Sequence, residues 1–302
     1  MRSTLVRSFA LVLAVAATLQ AQDLEPRAYS NSPIGLNFAV AGYAYAKGDV
    51  LTDPSLPLEN VSNDSHVGVF GFATTFRAFS QSGKFDFIVP LASLEAKGLA
   101  FGMPRSRHVS GFADPAFRLS INFIGAPALT AAEFKNYHQD FIVGGSLRIF
   151  APLGQYDSNR LVNIGTNRWS FKPEIGFSKA FGKWTIEVAP AATFYTENGN
   201  FFGGQTREVA PIYSVQSNVS YTFRPGGWVA LNLGYYVGGR TTVNNVENDD
   251  QQEGTRLGVT LAIPLNRYHS VKLYGITGYS GHREHDFEAI GIAWQVRWGG
   301  GY

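Results

Sequence analysis

PIYSVQSNVSYTF, residues 211–223, reads as one strand with two unlike faces. Tyr213, Val215, Val219, Tyr221 and Phe223 fall on one side; Ser214, Gln216, Asn218, Ser220 and Thr222 fall on the other. Successive side chains of a strand point to opposite faces, so this alternation makes one face greasy and the other wet. The pattern recurs along the chain. Phe117, Leu119, Ile121 and Phe123 oppose Arg118, Ser120 and Asn122. Phe141, Val143, Leu147 and Ile149 oppose Ser146 and Arg148, and Trp169, Phe171, Ile175 and Phe177 oppose Ser170, Lys172, Glu174 and Ser178. Leu257, Val259, Leu261 and Ile263 oppose Arg256, Gly258 and Thr260.

Alternation alone does not say which face is outside, because a soluble sandwich or a lipocalin-like barrel buries its greasy face in a core. Strand length separates the cases. These segments are close to the ~9–11 residues that cross a bilayer at a tilt, whereas soluble strands run to about 5–6. Connections alternate in the same sense. Short ones fall near 80–83, 181–183, 224–227 and 264–269; long polar ones fall near 47–65, 95–112, 152–167, 197–208 and 239–254. Short turns on one side and long loops on the other mark transmembrane barrels. The connection at 125–139 is longer than its place in this alternation predicts. Aromatics also sort to the two ends, as rings at headgroup level do. Phe123, Phe181, Trp184, Phe223, Trp228, Tyr268 and Trp298 sit by the short turns; Trp169, Phe171, Tyr195, Tyr236 and Tyr279 sit nearer the long loops.

The fold class expected is therefore all-β: a transmembrane, antiparallel, up-and-down β-barrel of about 12 strands with its greasy side chains facing lipid and hydrophilic ones lining the interior. The strands fall near 36–46, 66–79, 84–94, 113–124, 140–151, 168–180, 184–196, 209–223, 228–238, 255–263, 270–280 and 286–298. An even count brings both termini to the periplasmic side, and closure leaves no unpaired edge in a solvent without water. The last strand, with Ile292, Trp294, Val296 and Trp298 on one face, ends in aromatics near the C-terminus. That is the kind of segment read by the barrel-insertion machinery, an expected partner alongside outer-membrane lipids.

Residues 1–21 read as a signal peptide: Arg2 and Arg7, then the apolar run SFALVLAVAATL at 8–19, then a small-residue cleavage site at Ala21. A short membrane anchor is the alternative, but the run is shorter than the ~20 residues of a spanning helix. The 302-residue chain has 25 Lys and Arg against 23 Asp and Glu, and losing Arg2 and Arg7 balances them, so charge gives no argument for nucleic acid. With no Cys, thiolate chemistry and zinc-thiolate sites are excluded. Residues 22–35 form a polar N-terminal segment, periplasmic or inserted into the lumen, and 36–302 form the barrel.

PLGQYDSNRLVNIGTNRWSFKPEIG (Pro152 to Gly176), DLEPRAYSNSPIGLNF (Asp23 to Phe38) and GGR (Gly238 to Arg240) resemble the outer-membrane transporter family named after the meta-pathway of phenol degradation. The resemblance spans nearly all of the mature chain. It implies a bacterial outer-membrane location and a channel for passive uptake of small, hydrophobic or aromatic compounds. It carries over no catalytic or ligand residues.

The strand phases give lumen-lining candidates: Arg118, Arg148, Lys172, Glu174, Glu187, Asn218 and Arg256. Arg148, Lys172 and Arg256 lie toward the loop end, either as a filter for anionic or polarisable solutes or as a ladder in which Arg148 and Lys172 pair with Glu174. The polar start, residues 22–32, is a candidate plug. Alternative readings are a structural or adhesive barrel and an outer-membrane enzyme. Against an enzyme, the six histidines (His66, His108, His138, His269, His282 and His285) fall in expected connections or strand ends, and no nucleophile-elbow or phosphate-loop sequence occurs. No catalytic residue, cofactor or metal site is expected. HREHD at 282–286 carries ligand-type residues but reads better as a solvated loop.

Overall fold

The computed structural model describes residues 25–48, 58–280 and 287–300. The signal-peptide reading of 1–21 and the HREHD segment at 282–286 lie outside the described residues. In chain order the elements are β1 (Leu36–Gly48), β2 (Leu58–Ala78), β3 (Gln81–Ala100), β4 (Met103–Phe112), β5 (Ala116–Ile124), the one-turn helix α1 (Ala131–Phe134), β6 (Phe141–Phe150), β7 (Ser170–Phe181), β8 (Trp184–Tyr195), β9 (Asn198–Phe201), β10 (Gln205–Val209), β11 (Ile212–Arg224), β12 (Gly227–Gly238), β13 (Thr241–Val243), β14 (Val246–Glu247), β15 (Gln252–Pro264), β16 (His269–Ser280) and β17 (Phe287–Gly299). Twelve of them pair antiparallel around a closed barrel, β1–β2–β3–β5–β6–β7–β8–β11–β12–β15–β16–β17, and β17 returns to β1 from Leu36↔Gly299 to Gly48↔Phe287. The up-and-down barrel expected from the alternation is the fold.

Four long connections differ from the expectation, the first being 47–65, whose residues 58–65 belong to β2. The segment read as a loop at 95–112 is mostly strand: β3 runs on to Ala100 and β4 folds back along it, Leu91↔Phe112 to Ala100↔Met103. The handover from β5 to β4 falls at Pro90, which has no N–H to give to either neighbour, while its carbonyl accepts from Ala113 N at 2.9 Å. The connections at 197–208 and 239–254 contribute a second sheet outside the barrel, β14–β13–β10–β9. The long connection at 125–139 closes the turn end. Its carbonyls take backbone N–H groups from Ile34 (at Leu129, 2.9 Å) and Ser82 (at Ala126, 2.9 Å), and α1 is held by a capping box between Thr130 and Glu133.

The outer face follows the phases read from sequence. Leu119, Leu231, Val259 and Ile290 are exposed in mid-strand, and Phe181, Trp184, Phe223 and Trp298 ring the turn end. Three aromatics assigned to the belts fall on the inward phase instead, Tyr195 among them, opposite the fully buried Ser170 and under Arg168. Trp228 is fully buried against Ala230 and Ala262, and Tyr236 turns toward Arg256. Both share the parity of Asn232 on β12, so strand phase overrides their position near a strand end.

The interior also departs from a wholly hydrophilic lining. Along β1–β3 it is apolar: Leu36, Phe38, Val40, Val67, Val69, Ile88 and Leu94 form one buried cluster with Phe150 and Ile164. These strands carry apolar residues on both faces, so their period-two signal is faint, as in any strand covered on both sides. The remaining interior, from β5 round to β16, carries the buried charged side chains Arg118, Lys172, Glu187, Arg256 and Lys272, with the Trp228–Ala230–Ala262 cluster as an apolar patch among them.

Trp228→Ala should cost about 3–5 kcal/mol, because the indole sits in a closed interior site. Trp184→Ala, on the lipid face, should cost less. Urea unfolding of both variants in detergent, followed by gel mobility, measures the difference.

Candidate solute path through the lumen

Residues 25–35 run inside the barrel and emerge at the turn end to start β1. Glu25 reaches deepest. Its carboxylate accepts from both terminal nitrogens of Arg118, one of them (Nη2) at 2.7 Å, and from Arg148 Nη2 at 2.8 Å. Arg118 Nε also donates to Asp86 at 3.0 Å. The backbone of Glu25 is held too, its N–H by Gln216 Oε1 at 3.0 Å and its carbonyl by Asn218 Nδ2 at 3.4 Å. Arg27 makes the turn with φ of 64° and donates to Thr222 at 3.1 Å. Tyr29 lays its ring over Gly176 and Gly144 and donates its hydroxyl to Glu174 at 2.8 Å. A Cβ on Gly176 would lie 2.0 Å from that ring, so only glycine leaves room for it. Lower down, Thr75 Oγ1 donates to Pro33 O at 2.7 Å, and Gly35 N donates to Thr75 O at 2.8 Å. Charges in such a restricted space are tolerated where, as for Glu25, Asp86, Arg118 and Arg148, they meet opposite charges within hydrogen-bond distance.

All seven candidates from the strand phases point inward. Arg118, Arg148, Lys172, Glu174 and Asn218 gather around the segment: Lys172 Nζ lies 3.9 Å from Glu174, and Gln216 Nε2 donates to Glu174 at 3.2 Å. Glu187 and Arg256 stand apart. Glu187 faces Ser178 across the β7–β8 pair, and Arg256 stacks over Phe287 at 4.5 Å. Arg148 Nη2 donates to Glu25, from the inserted segment, a partner outside the ladder of Arg148 and Lys172 with Glu174 that the strand phases suggested.

Sequence reasoning missed Glu25, Tyr29, Lys84, Asp86 and Lys272. Lys84 and Asp86 alternate with Phe85 and Phe87, and Lys272 with Val271 and Leu273, so the same parity rule places them inside. Nothing in the local sequence places Glu25 against Arg118, 93 residues away.

The loop end is closed by the stretch that carries the family resemblance. Asp114 pins it, accepting from Gly154 N at 2.9 Å, Thr166 N at 2.9 Å and Thr166 Oγ1 at 2.6 Å. Burial pushes the Asp114 carboxyl above its usual value, and these hydrogen bonds pull it part of the way back. Gly154 and Gly165 touch backbone to backbone; a Cβ on Gly165 would lie 2.7 Å from Gly154 C. Ile164 and Val162 are thereby set into the apolar wall.

Between these two ends the interior holds several cavities. About 540 Å³ lies at the turn end beside Arg27–Ser30 and Lys84. About 260 Å³ lies between Lys172 and Arg256, and about 240 Å³ beside Glu25 and Arg148.

Histidine placement differs from the expectation in part: His66 lies within β2, and His108 lies within β4, where its Nε2 is 3.3 Å from Ser110 Oγ. That pair is exposed on the β3–β4 hairpin, away from the lumen. Among the described residues no group of His, Cys, Asp and Glu side chains could hold a metal.

Residues 37–294 match the family described as "Putative MetA-pathway of phenol degradation". The chain belongs to this family. Among solved structures, the COG4313 outer membrane channel from Pseudomonas putida F1 is similar, with TM-score 0.77 and 20% identity over 91% of this chain and 100% of that one. The β domain of the Bordetella autotransporter BrkA gives TM-score 0.53 at 9% identity, covering 88% of this chain and 100% of that one. The transport unit of the autotransporter AIDA-I from Escherichia coli gives 0.52 at 8%, covering 93% and 94%. At these identities the likeness is one of fold, that of outer-membrane β-barrels. No curated protein matches the chain in sequence.

Deleting residues 22–32 removes Glu25 and Tyr29 and should raise single-channel conductance in planar bilayers. Glu25→Gln should do the same to a smaller extent, because its amide keeps the size but not the charge that holds two arginines. Arg118→Ala should destabilise the barrel by about 3 kcal/mol, since it leaves Glu25 and Asp86 without their shared cation.

Proposed function

We propose that this protein is a gated channel of the bacterial outer membrane, delivered there by its signal peptide and inserted through its C-terminal strand, which passes small hydrophobic or aromatic compounds passively toward the periplasm. The observation that carries the reading is the interior. An apolar wall on β1–β3 faces a charged wall, and cavities lie on either side of a non-covalently seated segment. One of these cavities lies beside Arg27–Ser30 of the inserted segment and reaches Phe38, Thr75, Lys84 and Asn122 on the barrel wall, so that shifting the segment would change its size. A purely structural or adhesive barrel has no use for a lumen closed by two separable pieces. The family membership and the barrel fold support the same reading. An enzyme would need a nucleophile and base aligned at a site that holds substrate, and the exposed His108–Ser110 contact is not so placed. The inward Arg148, Lys172 and Arg256 favour solutes with an anionic or polarisable end next to an apolar body.

Cells lacking the protein should take up neutral and acidic aromatic compounds more slowly than complemented cells, with no change for small sugars. Val67→Asn and Val69→Asn, which make the apolar wall polar, should lower aromatic uptake several-fold while the barrel still folds. Equal uptake with and without the protein across such a panel would remove the proposal.

A further inference from the structure

The barrel wall has one seam that its own sequence weakens. Pro173 on β7 and Pro190 on β8 lie on adjacent strands, where register sets Pro173 opposite Ala192 and Ile175 opposite Pro190. Ala180 N donates to Asp140 O, so even-numbered residues of β7 point their N–H toward β6 and odd-numbered ones toward β8. Thr196 N donates to Trp169 O, so even-numbered residues of β8 point toward β7. Both prolines therefore occupy positions whose N–H would cross the same seam. The carbonyls of Ala192 and Ile175 face a ring nitrogen with no hydrogen. Accordingly, the β7–β8 pairing is interrupted on both sides of Glu174↔Ala191, whereas β6–β7 and β8–β11 pair without a break.

In a bilayer, unmatched backbone groups have no water to turn to, so proline in a central strand pair is costly there. Two on one seam make it the place where the wall parts most easily. On the inner side of the seam Gly176, Ala189 and Ala191 are small, and the one long side chain between the prolines, Glu174 opposite Ala191, is drawn aside by Tyr29 and Gln216. Behind it lies the cavity of about 260 Å³ that also touches Lys172 and Arg256. Over Gly176 lies the ring of Tyr29, on the removable segment.

We propose that the β7–β8 seam is a lateral port between lumen and bilayer for apolar solutes, latched from inside by Tyr29. The proposal rests on the channel reading above and adds the route. Solutes with an apolar body slip between Pro173 and Pro190 into or out of the lipid when Tyr29 lifts from Gly176. Ions and polar solutes stay within the lumen.

The chain has no native Cys, so Phe177→Cys with Val188→Cys, a facing pair on the seam, places a single reducible bridge there. Leu231→Cys with Val259→Cys on β12–β15 is the matched control. Naphthalene uptake above that of cells lacking the protein, and potassium chloride conductance in planar bilayers, are measured with and without reductant. The seam bridge should cut naphthalene uptake at least about tenfold, because a covalent link holds the two strands at their paired separation. Reductant should restore uptake, with conductance unchanged and the control bridge silent. Uptake unaffected by the seam bridge, or lowered equally by the control, overturns the port and leaves the channel standing. Absence of both uptake and conductance in the unmodified protein overturns the channel reading and the port with it. Pro173→Val with Pro190→Val, which returns both N–H groups, should raise the melting temperature in detergent and lower naphthalene uptake; a more stable barrel with undiminished uptake also overturns the port.

Discussion

Lipid offers nothing to a backbone N–H or C=O, and that single fact shapes this chain. A sheet in hydrocarbon must close on itself, and closing twelve strands encloses more space than their own side chains fill on one side. The remainder is taken up by two pieces that are not barrel strands. Residues 25–35 enter at the turn end, and the loop from 151 to 169 folds in at the other. Each is tied by carboxylates: Glu25 to two arginines, and Asp114 to the backbone and side chain of its loop.

The barrel was legible because its outer face obeys a rule of period two that lipid enforces on every strand. PIYSVQSNVSYTF and the strands like it follow the rule at most positions, with Ser217 outside and Ile212 inside as exceptions, and the strand count follows from them. The rule weakened where both faces are apolar, as in LNFAVAGYAYA of β1, and there the apolar inner wall went unseen. It also outranks end position: Trp228 and Tyr236 look like belt residues by place but are interior residues by phase. The pairing of β4 with the far end of β3 escaped notice because polar hairpins beyond the bilayer are not required to alternate.

The interior network was only half legible. Phase identifies which side chains face inward, so Arg118, Arg148, Lys172, Glu174, Glu187, Asn218 and Arg256 were accessible from sequence, and Lys84, Asp86 and Lys272 were within reach of the same reasoning. Which of them meet is a matter of where the inserted segment lies. The contacts of Glu25 and Tyr29 span more than a hundred residues in several cases, and short-range patterns carry no trace of them.

The long connection at 125–139 grips the inserted segment at its exit, and the segment continues directly into β1, whose second partner is β17, the last strand of the chain. The segment itself bonds to β5, β6, β7 and β11, on the opposite wall. One continuous stretch thus joins the contents of the barrel to the junction where its first and last strands meet, so strain at that junction is felt directly by the segment inside.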